Sequence, residues 1–310
     1  MNASRREFLG LGSAVLGGAA LAPHGLFAED EEPAPDAGAA VPEGGGDLKV
    51  RFLGTGVGKP EGPRAANKFG EVRRWTSVLL DGKVLIDLNE VNIEMLPEGC
   101  RPEAVFYTHS HPDHYNPQAA LALGVKRVYC HKSWADVAEG HFRKHAKGRP
   151  VPEVTGLEFG KPVVEGGLEF TSLPANHSTS KPNELCSIYL VEKGVTRLLY
   201  AVDTCGLPRE ALKFSVNGSN PAKPFTAIIM EATAGIGQQD NTRLFFSHSS
   251  VDTVARTARA LLKTGRYRPP AGRNVYITHL WRDQYPAQAE ADAKLPAPLK
   301  AAYDGLEVVF

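Results

Sequence analysis

The sequence predicts an α/β protein built as a four-layer αββα sandwich, two mixed β-sheets face to face with helices on their outer sides. Two observations predict it. Short apolar runs alternate with Gly- and Pro-bearing turns from Leu48 to the last residue. Helical patterns break in only after several strands have accumulated, once in each half of the chain.

In order, Leu48 to Leu53 reads as a strand running into Gly54-Thr55-Gly56-Val57-Gly58. Ser77 to Leu80 and Lys83 to Ile86 flank Asp81-Gly82, a two-residue hairpin signal. Ala104 to Thr108 is a buried strand ending at a histidine cluster, and Pro117 to Leu123 a short helix. Val125 to Cys130 is the next strand and Ser133 to Ala146 a second helix. The second half offers strands near Leu168 to Leu173, Leu185 to Val191, Arg197 to Val202 and Ala227 to Met230. Val251 to Leu262 is an amphipathic helix with Val254, Ala255, Ala258, Leu261 and Leu262 on one face. Asn274 to Thr278 and Leu306 to Phe310 close the series.

Composition narrows the partners. The 310 residues carry 35 Lys+Arg against 35 Asp+Glu, so no global field recruits nucleic acid or an anionic membrane. A small-molecule substrate is expected instead. Cys100, Cys130, Cys186 and Cys205 are far apart and form no C-x-x-C pair, which argues against zinc knuckles and thioredoxin chemistry and leaves disulfides open.

Ser4-Arg5-Arg6-Glu7-Phe8-Leu9 resembles a twin-arginine export signal, followed by a Gly/Ala-rich apolar stretch to Leu21 that is too short to span a bilayer unaided. Ala20-Leu21-Ala22 and Leu26-Phe27-Ala28 are cleavage candidates, and an uncleaved anchor is the alternative. Residues 1–28 are therefore read as the signal, engaging the twin-arginine machinery and implying a periplasmic or other extracytoplasmic location. Residues 29–46, acidic and then Pro/Ala/Gly-rich, read as a disordered linker, and 47–310 as the folded domain. The oligomeric state stays open, a homodimer included.

The chemistry begins at YTHSHPDH, residues 107–114. His109, His111, Asp113 and His114 follow a strand end, where a loop can aim several side chains at one point. This H-x-H-x-D-H pattern resembles the metallo-β-lactamase superfamily. That family requires a later His, an Asp and a final His at strand ends, and His177, Asp203 and His279 follow in that order. The resemblance assigns His109, His111 and His177 to one metal, Asp113, His114 and His279 to a second, and Asp203 as the bridge. Imidazole and carboxylate without thiolate suit two divalent ions, Zn²⁺ first, with Mn²⁺ or Fe²⁺ as alternatives. Asp87 matches the family's aspartate that orients a metal-bound His, or else is a turn residue.

Residues 231–233, Glu-Ala-Thr, and 247–250, Ser-His-Ser-Ser, resemble segments of ribonuclease Z, and the phosphonate-pathway phosphodiesterase has a related His. The resemblance implies phosphodiester hydrolysis by a metal-bridging hydroxide, with His248 as general acid and Glu231 as its partner. Ser249-x-x-Asp252 is a capping pattern that would set His248 at a helix N-terminus, and a cap-region role is the alternative. Arg64, Lys68, Arg73 and Arg74 lie on the loop after Gly58 and would bind a substrate anion, or form a solvated charged loop. Neither a long tRNA-gripping arm nor an early cysteine cluster is present, so the particular substrates of those relatives do not carry over. A carbon-ester or lactone hydrolase on the same metals, and a non-catalytic metal-binding module, are the rival functions.

Overall fold

The computed structural model describes residues 47–58, 62, 64, 66–215, 223–238 and 247–310. The expected signal and linker, residues 1–46, lie outside the described residues, as does Phe246. Six strands come first: β1 (Lys49–Gly54), β2 (Ser77–Leu80), β3 (Val84–Ile86), β4 (Ala104–Phe106), β5 (Arg127–His131) and β6 (Glu153–Leu157). Seven follow: β7 (Pro162–Glu165), β8 (Leu168–Pro174), β9 (Ser187–Lys193), β10 (Thr196–Ala201), β11 (Ala227–Glu231), β12 (Val275–Thr278) and β13 (Leu299–Ala301). The last, β14 (Glu307–Val309), returns to the first sheet beside β1. The orders are β14-β1-β2-β3-β4-β5-β6 and β13-β12-β11-β10-β9-β8-β7.

Each sheet is mixed. β3 to β6 run parallel, as do β10 to β13, while the hairpins on either side are antiparallel. Alternation along the strands separates the layers. In β4, Ala104 and Phe106 point into the core between the sheets, where Phe106 stacks on Phe170 at 3.9 Å between ring centroids. Val105 points the other way, into the layer formed with helices α1 (Glu90–Ile93), α2 (Pro117–Leu123) and α3 (Ala135–His145). Helices α4 (Arg209–Leu212) and α5 (Val251–Lys263) pack on the second sheet, α4 through Ala211 and α5 through Val251, Val254, Ala255, Ala258 and Leu261. This is the expected αββα sandwich. Leu262, expected on the buried face of α5, is 39% exposed.

The departures are local. Asp81 and Gly82 do adopt positive φ, 49° and 69°, but Leu80 pairs with Val84, so the hairpin loop has three residues rather than two. Strands β6, β7 and β13 were not anticipated. Among the described residues no helix is long and apolar enough to cross a membrane, and the four cysteines are free thiols.

For function, what matters is where the parallel strands end. In parallel sheets the carboxyl ends open a crevice ringed by loops. The loops after β3, β4, β8, β10, β11 and β12 carry Asp87, His109 to His114, His177, Asp203, the Glu231 to Thr233 turn and His279. The two sheets are tied together at this end: Ser187 N–H donates to Thr108 O at 2.9 Å, Tyr189 Oη–H to Tyr107 O at 2.6 Å, and Leu280 N–H to Thr55 O at 2.8 Å.

Candidate metal centre and active site

The ligand loop is pinned on both sides. β4 leads into it, and Asn116 closes it by accepting Ala119 N–H at 3.0 Å, which caps α2. Inside the loop the imidazoles converge. His109 Nε2 faces His111 Nδ1 at 2.8 Å, and His111 Nδ1 faces His177 Nε2 at 3.3 Å. Across the site, His114 Nε2 faces His279 Nε2 at 3.3 Å, with Asp113 Oδ2 3.4 Å and 3.5 Å from those two nitrogens. Asp203 Oδ2 lies 3.3 Å from His109 Nε2 and 3.2 Å from His114 Nε2, so it joins the two groups.

The arrangement therefore forms two pockets that share Asp203. The ligand-type atoms of His109, His111, His177 and Asp203 all lie within 4.8 Å of one another, and so do those of Asp113, His114 and His279. Two features fit cations rather than a purely hydrogen-bonded cluster. Imidazole nitrogens face each other pairwise, where a proton on one serves only that pair and a shared cation serves all the lone pairs. Asp203 Oδ1 is buried and accepts no well-aligned hydrogen bond, its neighbours being His279 Nδ1 at 3.1 Å and His248 Nδ1 at 3.6 Å, and a cation nearby would add to its satisfaction. This is a metal-binding constellation for divalent ions.

The surrounding groups orient the ligands. Asp87, fully buried, accepts from His114 Nδ1–H at 2.7 Å and from the backbone N–H and hydroxyl of Thr108. It thereby turns His114 Nε2 toward His279 and Asp203. Thr233 Oγ1 sits 2.8 Å from His279 Nδ1, and Ser247 O accepts from His177 Nδ1–H at 3.1 Å. The Gly58 N–H donates to Asp113 Oδ2 at 2.8 Å. Burial opposes ionisation of Asp113 and Asp203, but the neighbouring imidazoles outweigh it and hold both carboxyls well below the usual range.

His248 is beside the centre without being required by either pocket. Its Nδ1 lies 3.2 Å from Glu231 Oε2 and 3.6 Å from Asp203 Oδ1, and its ring stacks on His279 at 5.4 Å. Burial disfavours the imidazolium, but Glu231 and then Asp203 push the group up to about 9. Glu231 is fully buried and also accepts the Thr204 N–H at 2.9 Å, so one carboxylate ties His248 to the turn that presents Asp203. A third close group, Asp203, Glu231, His248 and His279, overlaps the second pocket through His279, whose Nδ1 is turned to Thr233.

One expectation needs correction. The helix cap is Ser250, which accepts Thr253 N–H at 3.2 Å, not Ser249. Ser249 instead donates to Thr204 O and accepts Gly206 N–H, and Asp252 accepts Gly237 N–H. The three arginines of the basic loop have partners within the protein. Arg73 is 3% exposed and spends its guanidinium on Thr55 Oγ1, Ala302 O and Gln288 Oε1. Arg64 and Arg74 both pair with Glu94, and Arg74 also with Asp304. Lys68 is exposed with its ammonium 5.0 Å from the Phe69 ring centroid.

Sequence reasoning missed Gly58, Thr108, Thr233, Ser247 and Glu184, whose carboxylate grips Ser110 between His109 and His111. All of them but Glu184 stood inside segments already singled out.

A family model described as β-lactamase superfamily domain matches residues 91–279, more than half of the chain. The chain belongs to this superfamily. A comparison with curated proteins finds no match. Among solved structures, a diphosphatase of the PhnP family superposes with a TM-score of 0.62 at 21% identity, covering 85% of this chain and 97% of its own. Zn²⁺-bound PqqB from Methylobacterium extorquens gives 0.59 at 16%, covering 84% and 99%. Human tRNase Z, short form, gives 0.56 at 16%, covering 84% and 98%. At these identities the likeness establishes a shared fold, the metallo-β-lactamase fold.

Proposed function

We propose that this superfamily member is a dinuclear metal-dependent phosphodiesterase. His109, His111, His177 and Asp203 would hold one cation, and Asp113, His114, His279 and Asp203 the other. Zinc suits this donor set first, with manganese and iron(II) as alternatives. When bound, such a pair polarises an ester oxygen and makes water acidic enough to ionise near neutral pH.

The observation that carries the phosphodiester reading is His248 on buried Glu231, beside Asp203 and outside both ligand sets. Its Nδ1–H donates to Glu231, which leaves Nε2 to carry the proton for an alkoxide leaving group. The Glu231 carboxylate keeps the ring protonated before transfer and fixes its orientation. The likeness of these segments to ribonuclease Z supports the reading, and so does the shared fold with a PhnP-family diphosphatase and human tRNase Z.

The test is turnover of bis-p-nitrophenyl phosphate by protein loaded with Zn²⁺ or Mn²⁺, alongside a panel of carbon esters and lactones. His248→Ala should lower phosphodiester turnover about 10²- to 10⁴-fold with metal content unchanged. Full turnover in that variant would remove His248 from the mechanism. A wild-type protein that binds metal yet hydrolyses nothing in the panel would revive the non-catalytic reading. A carbon-ester hydrolase is the second reading, and the internally paired basic loop favours it, because an uncharged ester needs no cationic cradle.

The export assignment is part of the same proposal. Residues 1–28 would take the folded chain through the twin-arginine machinery to the periplasm. Replacing Arg5 and Arg6 by Lys should leave it in the cytoplasm, and unchanged fractionation would refute that route.

A further inference from the structure

We infer that Glu184 is a positioning residue for the pocket of His109, His111 and His177, acting through Ser110. The inference rests on the two-cation reading above.

That pocket draws its histidines from two loops on different sheets. His109 and His111 come from the loop after β4, His177 from the loop between β8 and β9. The second loop is closed at its base, where Ala175 N–H donates to Cys186 O at 3.0 Å. Near that base Glu184 reaches across to the first loop. Its Oε1 accepts Ser110 N–H at 2.7 Å and its Oε2 accepts the Ser110 hydroxyl at 2.6 Å. Ser110 is the residue between His109 and His111, so one carboxylate sets the spacing between the loop with two ligands and the loop with the third.

The placement is otherwise unfavourable. Glu184 is 8% exposed, and among the described residues no Lys, Arg or His pairs with it. A buried carboxylate satisfied only by hydrogen bonds is expensive unless its charge or its geometry is used. Here both can be, since Glu184 grips the residue that separates two ligands of a dication.

The histidines differ in how much they need this grip. His109 Nδ1 sits 3.0 Å from Thr108 Oγ1, and His177 Nδ1 is held by Ser247 O. His111 offers Nδ1 to the cluster, and among the described residues no side chain holds its Nε2. Its ring therefore depends on the backbone on either side, which begins at Ser110. The other pocket is held by separate groups: Gly58 on Asp113, Asp87 on His114 and Thr233 on His279. Loss of Glu184 should therefore separate the two pockets.

The experiment titrates full-length apo-protein with Zn²⁺ by calorimetry and with Co²⁺ by visible absorption. The samples are wild type, Glu184→Gln, Ser110→Ala, the double variant and Glu165→Gln. Glu165 is a buried carboxylate on Arg127 and Tyr129, remote from the ligands in sequence and contacts, so it reports a general loss of stability. Glu184→Gln should weaken one of two binding events about 10- to 100-fold and leave the other at its wild-type affinity. The double variant should be no weaker than Glu184→Gln alone, and Glu165→Gln should keep both sites. Wild-type binding at both sites of Glu184→Gln would overturn the inference while leaving the two-cation reading intact. Equal weakening of both sites, or the same split in Glu165→Gln, would overturn it too. If Glu184→Gln does not fold, Ser110→Ala decides by the same criterion, since it removes a single hydroxyl. A wild-type protein that takes up fewer than two cations would refute the two-cation reading itself, and the inference with it.

Discussion

Gly58→Ala is the smallest change that should empty one pocket and spare the other. A Cβ built on Gly58 would lie 2.5 Å from both Cγ and Oδ2 of Asp113, about 1 Å inside ordinary van der Waals contact. Neither atom is the free end of a long side chain. Oδ2 is the oxygen that accepts the Gly58 N–H at 2.8 Å, and it faces His114 and His279. Relief requires the carboxylate or the loop to withdraw by roughly the overlap, and either movement breaks this hydrogen bond. A hydrogen bond to a charged acceptor contributes about 1.5–3 kcal/mol. At about 1.4 kcal/mol per decade, that is roughly a 10- to 100-fold loss of affinity in the pocket of Asp113, His114 and His279. The pocket of His109, His111 and His177 makes no contact with Gly58 and should be unchanged. Stepwise Co²⁺ titration of the apo-protein, with a thermal melt to confirm folding, reads both sites separately. Two wild-type binding steps in Gly58→Ala would show that Asp113 is not a ligand, or that this contact does not position it.

Four further outcomes follow from the structure. Asp87→Asn removes the acceptor charge on His114, and because Asn tolerates the positive φ of 58° found there, the backbone is little strained; metal affinity should fall about 10- to 100-fold by calorimetry. Glu231→Gln should shift the alkaline limb of the phosphodiester pH–rate profile to lower pH, because it takes away the carboxylate that does most to hold His248 protonated, and an unmoved limb would detach Glu231 from that role. Arg73→Ala should destabilise the fold by about 3 kcal/mol in urea melts, having lost bonds to Thr55, Ala302 and Gln288, and should leave KM unchanged. Glu165 is depressed below the usual carboxyl range, chiefly by the Arg127 hydrogen bond, so its contribution is present above its unfolded pKa and lost as pH falls through the folded one; in Glu165→Gln the melting temperature should drop less on acidification than in wild type.

What the sequence made legible was whatever is local or ordered along the chain. His109, His111, Asp113 and His114 share one loop, and His177, Asp203 and His279 each follow an apolar run that reads as a strand, so the residues that the structure brings into one cluster could be listed before any fold was known. Partnerships between distant segments were not legible. Arg73 and Arg74 read as free cations because Asp304 and Gln288, which occupy them, lie more than 200 residues on. The cap was misplaced by one residue because Ser249 and Ser250 both suit it, and only the fold reveals that Thr204 and Gly206 engage Ser249. β6, β7 and β13 were missed because Glu153–Leu157 and Pro162–Glu165 carry half-exposed or charged positions and Leu299–Ala301 has only three residues.

One feature of the centre explains why strand ends supply its ligands. Asp87, Asp203 and His279 each adopt positive φ, at 58°, 51° and 56°, a region that disfavours residues with a Cβ. All three lie one or two residues past a parallel strand, and all three point at the same cluster. A continuing strand would send successive side chains to opposite faces, so it could not aim the last of them along the strand axis into the crevice. The left-handed turn does so, at a cost of about 1–2 kcal/mol per residue. Asp tolerates this conformation better than most residues, which suits two of the three positions; for His279 the surrounding bonds must hold it. Leu280 N–H on Thr55 O and Trp281 N–H on Thr233 O fix the chain just beyond it, and Thr233 Oγ1 fixes its ring. Local strain is thus held in place by contacts from the neighbouring loop after β11 and, at Leu280, by one that crosses to the other sheet, so the geometry of the cluster belongs to the assembled sandwich rather than to any one loop.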